Sequence, residues 1–147
     1  MVQVIVALAV VVVAGSVGLV LRRRQAIEAP TQPHYDIPTQ LDRADFAPGM
    51  PWVVAVFTSA TCTTCADVKR KAQVLASSQV AVVEVEYSAA RHLHAKYDIQ
   101  AVPIVAVADA HGVVHSGFAG PVTATDLWAA VAEAREPGAS PEPELGR

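Results

Sequence analysis

The first feature of the hydropathy pattern is an uninterrupted apolar run at the N-terminus. Residues 2–21 carry no charge, and only Gln3 and Ser16 among them are polar. A helix of about 20 apolar residues is long enough to cross the hydrocarbon core of a bilayer. The pattern therefore predicts a transmembrane anchor over residues 1–21.

The charges that flank this run predict the orientation of the anchor. No basic residue precedes it, whereas Arg22, Arg23 and Arg24 follow it directly. A cleaved secretory signal has basic residues before a shorter apolar core, so we expect this anchor to be retained. Arginines beside a membrane span favour the cytoplasmic side, which predicts an outward N-terminus and a cytoplasmic domain. An extracytoplasmic domain of reversed topology is the alternative.

The remaining chain divides into a linker, one domain and a tail. Residues 22–38 are polar and interrupted by prolines, which favours an extended spacer. Residues 137–147 contain glycine and proline with few apolar side chains, and we expect a disordered tail there. The intervening residues 39–136 number roughly 100, which is enough for one core but not for two domains.

Within the domain, predicted strands alternate with predicted helices. Residues 52–57 form a near-continuous apolar run, typical of a strand buried on both faces. The last helix is predicted to begin near Thr123, whose hydroxyl can cap it while Asp126 supplies a reciprocal carboxylate. The other predicted strands are residues 41–46, 80–85, 104–108 and 113–118, and the other predicted helices are residues 66–76 and 89–97. This alternation indicates an α/β domain.

Charge and histidine placement narrow the class of function. The net charge is −3, and the basic residues outside the juxtamembrane arginines are scattered, so no nucleic-acid surface is indicated. The histidines show no metal-ligand spacing relative to the cysteines. His92 and His94 do not share a helix face and are expected on the solvated surface. We therefore expect no metal and no nucleic-acid partner.

The two cysteines give the clearest chemical signal. Cys62 and Cys65 are the only cysteines, between the apolar strand and the helix at residues 66–76. Their spacing places both sulfurs on the first turn of that helix, where free amides and the helix dipole favour a thiolate at Cys62. Half a zinc site and two inert buried thiols are the alternatives. The strand before the pair and the helix after it favour a redox dithiol.

The order of these features resembles that of the thioredoxin family. After the Cys-x-x-Cys helix come a strand, a helix and the segment Tyr-Asp-Ile-Gln-Ala-Val-Pro at residues 97–103, then a hairpin, Gly120 and a final helix. The resemblance covers residues 41–135. It implies a thioredoxin-like α/β fold, a central mixed sheet flanked by helices, preceded here by the predicted transmembrane helix. It also implies a cis Val102-Pro103 bond, with Pro103 against the two sulfurs.

Three departures from the family pattern bear on the chemistry. The pair between the cysteines, usually Gly-Pro, is Thr63-Thr64, whose hydroxyls can bond the nearby sulfur or the free helix amides and so tune the redox couple. Thr61 stands where a tryptophan commonly precedes the first cysteine. Where the family's reductases bury a proton-transferring aspartate, before Cys62, this chain has Val56, so we expect slower proton transfer at the second sulfur.

The resemblance implies thiol–disulfide exchange on protein substrates, as part of cell redox homeostasis. Cys62 would attack a substrate disulfide, and Cys65 would then attack Cys62 and release the reduced substrate. Val102, Pro103 and Thr61 would bind the substrate strand. The redox-active disulfide needs no other cofactor, but an electron-donating reductase or thiol pool is required. The alternatives are extracytoplasmic disulfide or cytochrome-maturation chemistry under reversed topology, and a non-enzymatic interaction module with the same fold.

Overall fold

The computed structural model describes residues 35–138 of the 147-residue chain. The predicted anchor at 1–21, the linker up to residue 34 and the tail beyond residue 138 lie outside the described residues and stay predictions. Within residues 35–138, no helix is both long and apolar enough to cross a membrane.

The described residues form one mixed sheet with helices, as the sequence predicts. In the sheet the strands lie in the order β2-β1-β3-β4, where β1 is parallel to β2, and β3 is antiparallel to both β1 and β4. Along the chain the elements are β1 (Trp52–Thr58), α1 (Cys65–Gln73), β2 (Val80–Glu86), α2 (Arg91–Lys96), β3 (Ile104–Ala108), β4 (Val114–Ala119) and α3 (Ala124–Arg135).

Strand β1 lies at the centre of the core because both of its faces are covered. Every residue from 53 to 58 is buried. Side chains at even positions of β1 pack in one cluster with α1 and α3, which contribute Val68 and Leu127. Side chains at odd positions pack in a second cluster on the other face, with Leu41 and Phe46. The burial on both faces that the continuous apolar run predicts is confirmed.

Helix α1 begins and ends differently from the prediction. It starts at Cys65, so Cys62 lies in the preceding loop and the expectation that both sulfurs share the first helical turn is wrong. Thr64 is the N-cap residue. At the other end, the Leu75 N–H donates to the Ala72 carbonyl at 2.9 Å, and this tighter turn ends the helix before residue 76.

Helix α3 begins as the sequence predicts. Thr123 is its N-cap residue, and the Thr123 hydroxyl oxygen accepts a hydrogen bond from the Asp126 N–H at 3.1 Å. The same hydroxyl donates to the Asp126 carboxylate at 2.6 Å. The threonine and the carboxylate therefore fix the first turn of the helix together.

The predicted edge strand at residues 41–46 is wrong, because this segment is a loop with turns. Hydrogen bonds to Asp42 turn its backbone out of the extended conformation. One carboxylate oxygen of Asp42 accepts the Ala44 N–H at 3.0 Å, and the Asp42 carbonyl accepts the Asp45 N–H, also at 3.0 Å. Such local hydrogen bonds replace the ladder that an extended strand would make.

The same segment nevertheless belongs to the core. Gln40 forms a bridge pair with Val113, and the Leu41 N–H donates to the Gly112 carbonyl at 2.8 Å. The side chains of Leu41 and Phe46 are fully buried. The apolar pattern that indicated a strand therefore reports burial correctly and secondary structure incorrectly.

The turn that joins β3 to β4 in the predicted hairpin is tight. A carboxylate oxygen of Asp109 accepts the His111 N–H at 2.8 Å and the Val113 N–H at 3.1 Å. Gly112 has a φ of +82°, and a Cβ atom there would lie 1.9 Å from the Leu41 carbonyl oxygen. Only glycine allows residues 39–46, the N-terminal segment of the domain, to approach this turn so closely.

Candidate active site

The two cysteines form a disulfide just beyond the carboxyl end of β1. The loop of residues 59–64 follows Thr58 and carries Cys62 to the start of α1, where Cys65 is the first helical residue. The Cα atoms of the two cysteines are 5.4 Å apart. Because the chain has no other cysteine, this pair is the only dithiol it can offer for exchange.

The two sulfurs differ in exposure and in surroundings. Cys62 is partly exposed, whereas Cys65 is only 3% exposed. The backbone N–H of Cys65 donates to the Cys62 sulfur at 3.2 Å, and the hydroxyl of Thr64 lies 3.5 Å from the same sulfur. After reduction, these donors at the positive end of α1 favour a negative charge on Cys62. The accessible sulfur is thus also the one that the helix terminus activates.

A second loop meets Cys62 at the start of β3. The Val102-Pro103 bond is cis, as the resemblance implies. The carbonyl oxygen of Val102 lies 3.9 Å from the Cys62 sulfur, and Pro103 is buried. The Gly120 N–H donates to the Pro103 carbonyl at 2.8 Å and holds this loop to the end of β4. The fold therefore joins two sequence-predicted groups, the cysteines and the Val102-Pro103 segment.

The threonines around the motif take different positions. Thr61 and Thr63 are exposed, and the Thr61 hydroxyl lies 3.2 Å from that of Ser59. Thr64 makes no side-chain capping bond to α1. Because a disulfide sulfur carries no proton, the Thr64 hydroxyl is the donor in its contact with Cys62. These hydroxyls were expected to bond either the nearby sulfur or a free helix amide, and Thr64 therefore makes the bond to the sulfur.

A cavity of about 200 Å³ is bordered by both cysteines and by polar side chains of β1, α1 and β2. One carboxylate oxygen of Glu84 accepts a hydrogen bond from the Thr58 hydroxyl at 3.0 Å, and the other forms an ion pair with Lys69. Sequence reasoning missed these three residues. The available signal was a carboxylate inside an otherwise apolar predicted strand, residues 80–85.

Glu86 borders the same cavity, but backbone and hydroxyl donors occupy its carboxylate. One oxygen accepts the Ser88 hydroxyl at 2.6 Å and the Ala89 N–H at 3.0 Å, and the other accepts the Ala60 N–H at 3.2 Å. These hydrogen bonds, that of the Ser88 hydroxyl above all, lower the pKa of Glu86 to about 2. Glu86 therefore remains ionised at neutral pH and ties the cysteine loop to the turn after β2.

A second cavity, of about 230 Å³, lies between Tyr87, His94 and the segment that precedes the cis-proline. His94 is 3% exposed, so its expected place on the solvated surface is wrong, whereas His92 is exposed. The His94 Nε2 donates to the Val85 carbonyl at 2.9 Å, and the Phe57 and Tyr87 rings meet the imidazole nearly perpendicularly. A carbonyl acceptor and an aromatic pocket thus compensate for burying this side chain.

Charged side chains of the N-terminal segment pair with α2. The Lys96 ammonium lies 2.9 Å from the Asp42 carboxylate and 2.7 Å from that of Asp45. Its hydrogen bonds lower the pKa of both carboxyl groups. Across residues 35–138, no three histidine, cysteine or acidic side chains are grouped as metal ligands.

Comparison with known proteins gives the fold. No protein-family model matches the sequence, and no curated protein matches it. A mutant thioredoxin from Halobacterium salinarum NRC-1 is 18% identical, with a TM-score of 0.53 over 61% of this chain and 79% of that one. A structure described as a malarial protein is 17% identical, with a TM-score of 0.49 over 55% of this chain and 93% of that one. The likeness to the thioredoxin, with the mixed sheet and the close cysteine pair, shows that the described part of this chain has a thioredoxin-like fold.

Proposed function

We propose that this chain is a membrane-tethered thiol–disulfide oxidoreductase that acts on protein disulfides. The observation that carries the proposal is the position of Cys62, which is partly exposed, lies before α1 and is 3.9 Å from the Val102 carbonyl. Exchange requires one sulfur that reaches the substrate and a second that attacks it afterwards. The partly exposed Cys62 and the buried Cys65 meet that requirement.

In the reducing direction the dithiol acts in two steps. The Cys62 thiolate attacks one sulfur of the substrate disulfide, and the other substrate sulfur leaves as a thiolate. Cys65 then loses its proton and attacks the Cys62 sulfur, so that the Cys62–Cys65 disulfide forms and the second substrate sulfur leaves. Two electrons pass from the protein to the substrate. The same steps in reverse oxidise a substrate dithiol.

The substrate is proposed to bind as an extended segment beside Cys62. The Val102-Pro103 loop supplies backbone on one side of the sulfur, and the exposed Thr61 precedes Cys62 in the cysteine loop. An extended chain can hydrogen-bond to such backbone, as in strand addition. Because Thr61 is smaller than an aromatic residue, it leaves room for a larger substrate side chain at this point.

The tether and the cytoplasmic location are proposed from the sequence. Residues 2–21 are apolar over about the length that spans a bilayer, and the arginines at 22–24 favour retention of the following domain in the cytoplasm. Electrons for repeated turnover are proposed to come from a reductase or a thiol pool, with no organic cofactor on this chain.

Reduction of insulin by the full-length protein in detergent, with dithiothreitol as the electron source, tests this function. The wild type should accelerate precipitation of the reduced B chain. Cys65→Ser, reduced beforehand and mixed with insulin after the dithiothreitol is removed, should stall at the mixed disulfide, and mass spectrometry should find an insulin chain linked to Cys62. Cys62→Ser should neither accelerate the reaction nor accumulate the adduct. A wild type with no effect on insulin, or an adduct at Cys65 instead of Cys62, would favour the interaction-module alternative.

A further inference from the structure

The second step of exchange requires a proton acceptor near Cys65. Only a thiolate attacks a disulfide, and a free cysteine with a pKa of about 8.5 is mostly protonated at neutral pH. Cys65 is 3% exposed, so bulk water has little direct access to its thiol. The groups that line the cavity beside Cys65 are therefore the ones able to take this proton.

The pairing of β1 with β2 directs Glu84 toward the helix that carries Cys65. Val56 and Glu84 are partners in the parallel ladder, and paired residues project from the same face of a sheet. Val56 packs in the cluster formed with α1. Lys69 follows Cys65 by about one helical turn and so lies on the same helix face, where it forms the ion pair with Glu84.

The Glu84 carboxylate is held in place and still reaches water. The Thr58 hydroxyl donates to one oxygen, the Lys69 ammonium holds the other, and Thr58 itself is only 2% exposed. The Glu84 side chain is 32% exposed. A cavity of about 200 Å³ has room for several water molecules, each of which occupies roughly 30 Å³ in the liquid. Water can therefore connect the thiol with the carboxylate.

We propose that Glu84 accepts the Cys65 proton, through cavity water, as Cys65 attacks the mixed disulfide. The thiol proton passes to the carboxylate, the Cys65–Cys62 bond forms, and the bond between Cys62 and the substrate sulfur breaks. The substrate leaves as a thiolate, and Glu84 then releases the proton to solvent. Lys69 and Thr58 position the carboxylate. This inference rests on the proposed function, whose two-step exchange it refines.

Glu86 provides a matched control. It lies on the same strand, two residues further along, and borders the same cavity. Its carboxylate already accepts three hydrogen bonds from the Ser88 hydroxyl and the Ala89 and Ala60 amides. A carboxylate bound in this way is a poor acceptor for a further proton. Removing its charge should therefore leave the proton acceptor of the second step in place.

Stopped-flow reaction of the reduced full-length protein with equimolar dithiobis(nitrobenzoate), in detergent, separates the two steps. Attack by Cys62 releases the first nitrothiobenzoate in a phase whose rate depends on reagent concentration. Attack by Cys65 on the mixed disulfide releases the second in a phase that does not. Because the chain has no other cysteine, the two phases report on these two sulfurs alone.

Glu84→Gln should leave the first phase unchanged and slow the second, toward the lower end of the roughly 10²–10⁴-fold that proton transfer contributes. The slowing should be largest near pH 6 and disappear above about pH 9, where a thiol ionises without help. Glu84→Asp should restore part of the rate, and Glu86→Gln should keep the pH dependence of the wild-type second phase. A purely structural effect would show no such pH dependence.

Three results would overturn the inference. These are an unchanged second phase in Glu84→Gln, a slowing that persists above pH 9, and a larger loss in Lys69→Gln than in Glu84→Gln, which would assign the role to the ammonium. A wild type that releases only one nitrothiobenzoate per protein would instead refute the two-step exchange itself. The failure of this inference and that of the proposed function are therefore distinguishable.

Discussion

Phe46 lies in a loop outside the regular secondary structure, yet the structure places its ring in the core. The side chain is fully buried, and its ring centroid is 5.5 Å from that of Tyr97 and 6.3 Å from that of Phe57. Phe46→Ala removes these contacts and leaves a cavity between the N-terminal segment and the sheet. The variant tests whether residues 41–46, which form no strand, are an integral part of the domain.

Replacing a buried phenylalanine with alanine costs about 3–5 kcal/mol. A domain of this size has a total stability of roughly 5–15 kcal/mol, so the loss is a large share of the whole. Since 1 kcal/mol corresponds to roughly 4–8 °C for a domain of up to 100 residues, the midpoint should fall by about 12 °C or more. Phe46→Leu keeps most of the apolar volume, and its unfolding midpoint should fall clearly less than that of Phe46→Ala.

Thermal unfolding of the oxidised full-length protein in detergent, followed by tryptophan fluorescence, measures this loss. Both tryptophans, Trp52 and Trp128, lie in the described domain, so the signal reports on the domain alone. Val74→Ala is the control, because Val74 is 66% exposed and its truncation should change stability by no more than about 0.5 kcal/mol. A Phe46→Ala midpoint within the scatter of the Val74→Ala midpoint would refute the packing described here.

Gly112→Ala should destabilise the domain more than Gly49→Ala does in the same assay. Both glycines have a positive φ, but a Cβ atom at Gly112 would lie 1.9 Å from the Leu41 carbonyl oxygen, whereas one at Gly49 would meet nothing within 4 Å. Equal losses would argue against the close approach. The pKa of Glu86 is lowered from 4.5 to about 2 in the folded protein, so its stabilising contribution is complete above pH 4.5 and is lost as the pH falls toward 2. Glu86→Gln should therefore lose less stability than wild type over that interval in acid titrations of the unfolding midpoint, and parallel curves would contradict the assignment. A fluorescent protein that matures only in the cytoplasm should fluoresce when fused after residue 147, and activity of an export-dependent enzyme at that site would reverse the predicted topology.

Elements whose signals are local could be predicted from the sequence. The apolar run of β1 is enough to predict a buried strand, and Thr123 with Asp126 is enough to predict the start of α3. Both features are present as expected. The segment at residues 41–46 could not be predicted correctly, because a buried loop and an edge strand produce the same apolar positions. The hydrogen bonds of Asp42, which decide between them, depend on a turn that hydropathy does not encode.

The candidate site also contains residues that the sequence could identify and residues that it could not. The cysteine pair and Pro103 were identified through a motif whose spacing is visible in the sequence. Glu84 was missed because its proximity to Lys69 and Cys65 depends on the register between β1 and β2, which no single strand reveals. His94 was misplaced for a related reason, since two-residue spacing on a short helix does not show which face meets the sheet.

The attachment of residues 39–41 to the hairpin determines where a shortened fragment of this domain can begin. In the β1–β3 register, Val53 is opposite Ala108, so the hairpin turn lies beside the start of β1. Cys62 follows the other end of β1, which at seven residues measures roughly 20 Å. The residues that attach to Gly112 therefore lie near the end of β1 that is remote from the disulfide. A shortened fragment for surface immobilisation should begin before residue 39, so that Leu41 and its hydrogen bond to Gly112 remain.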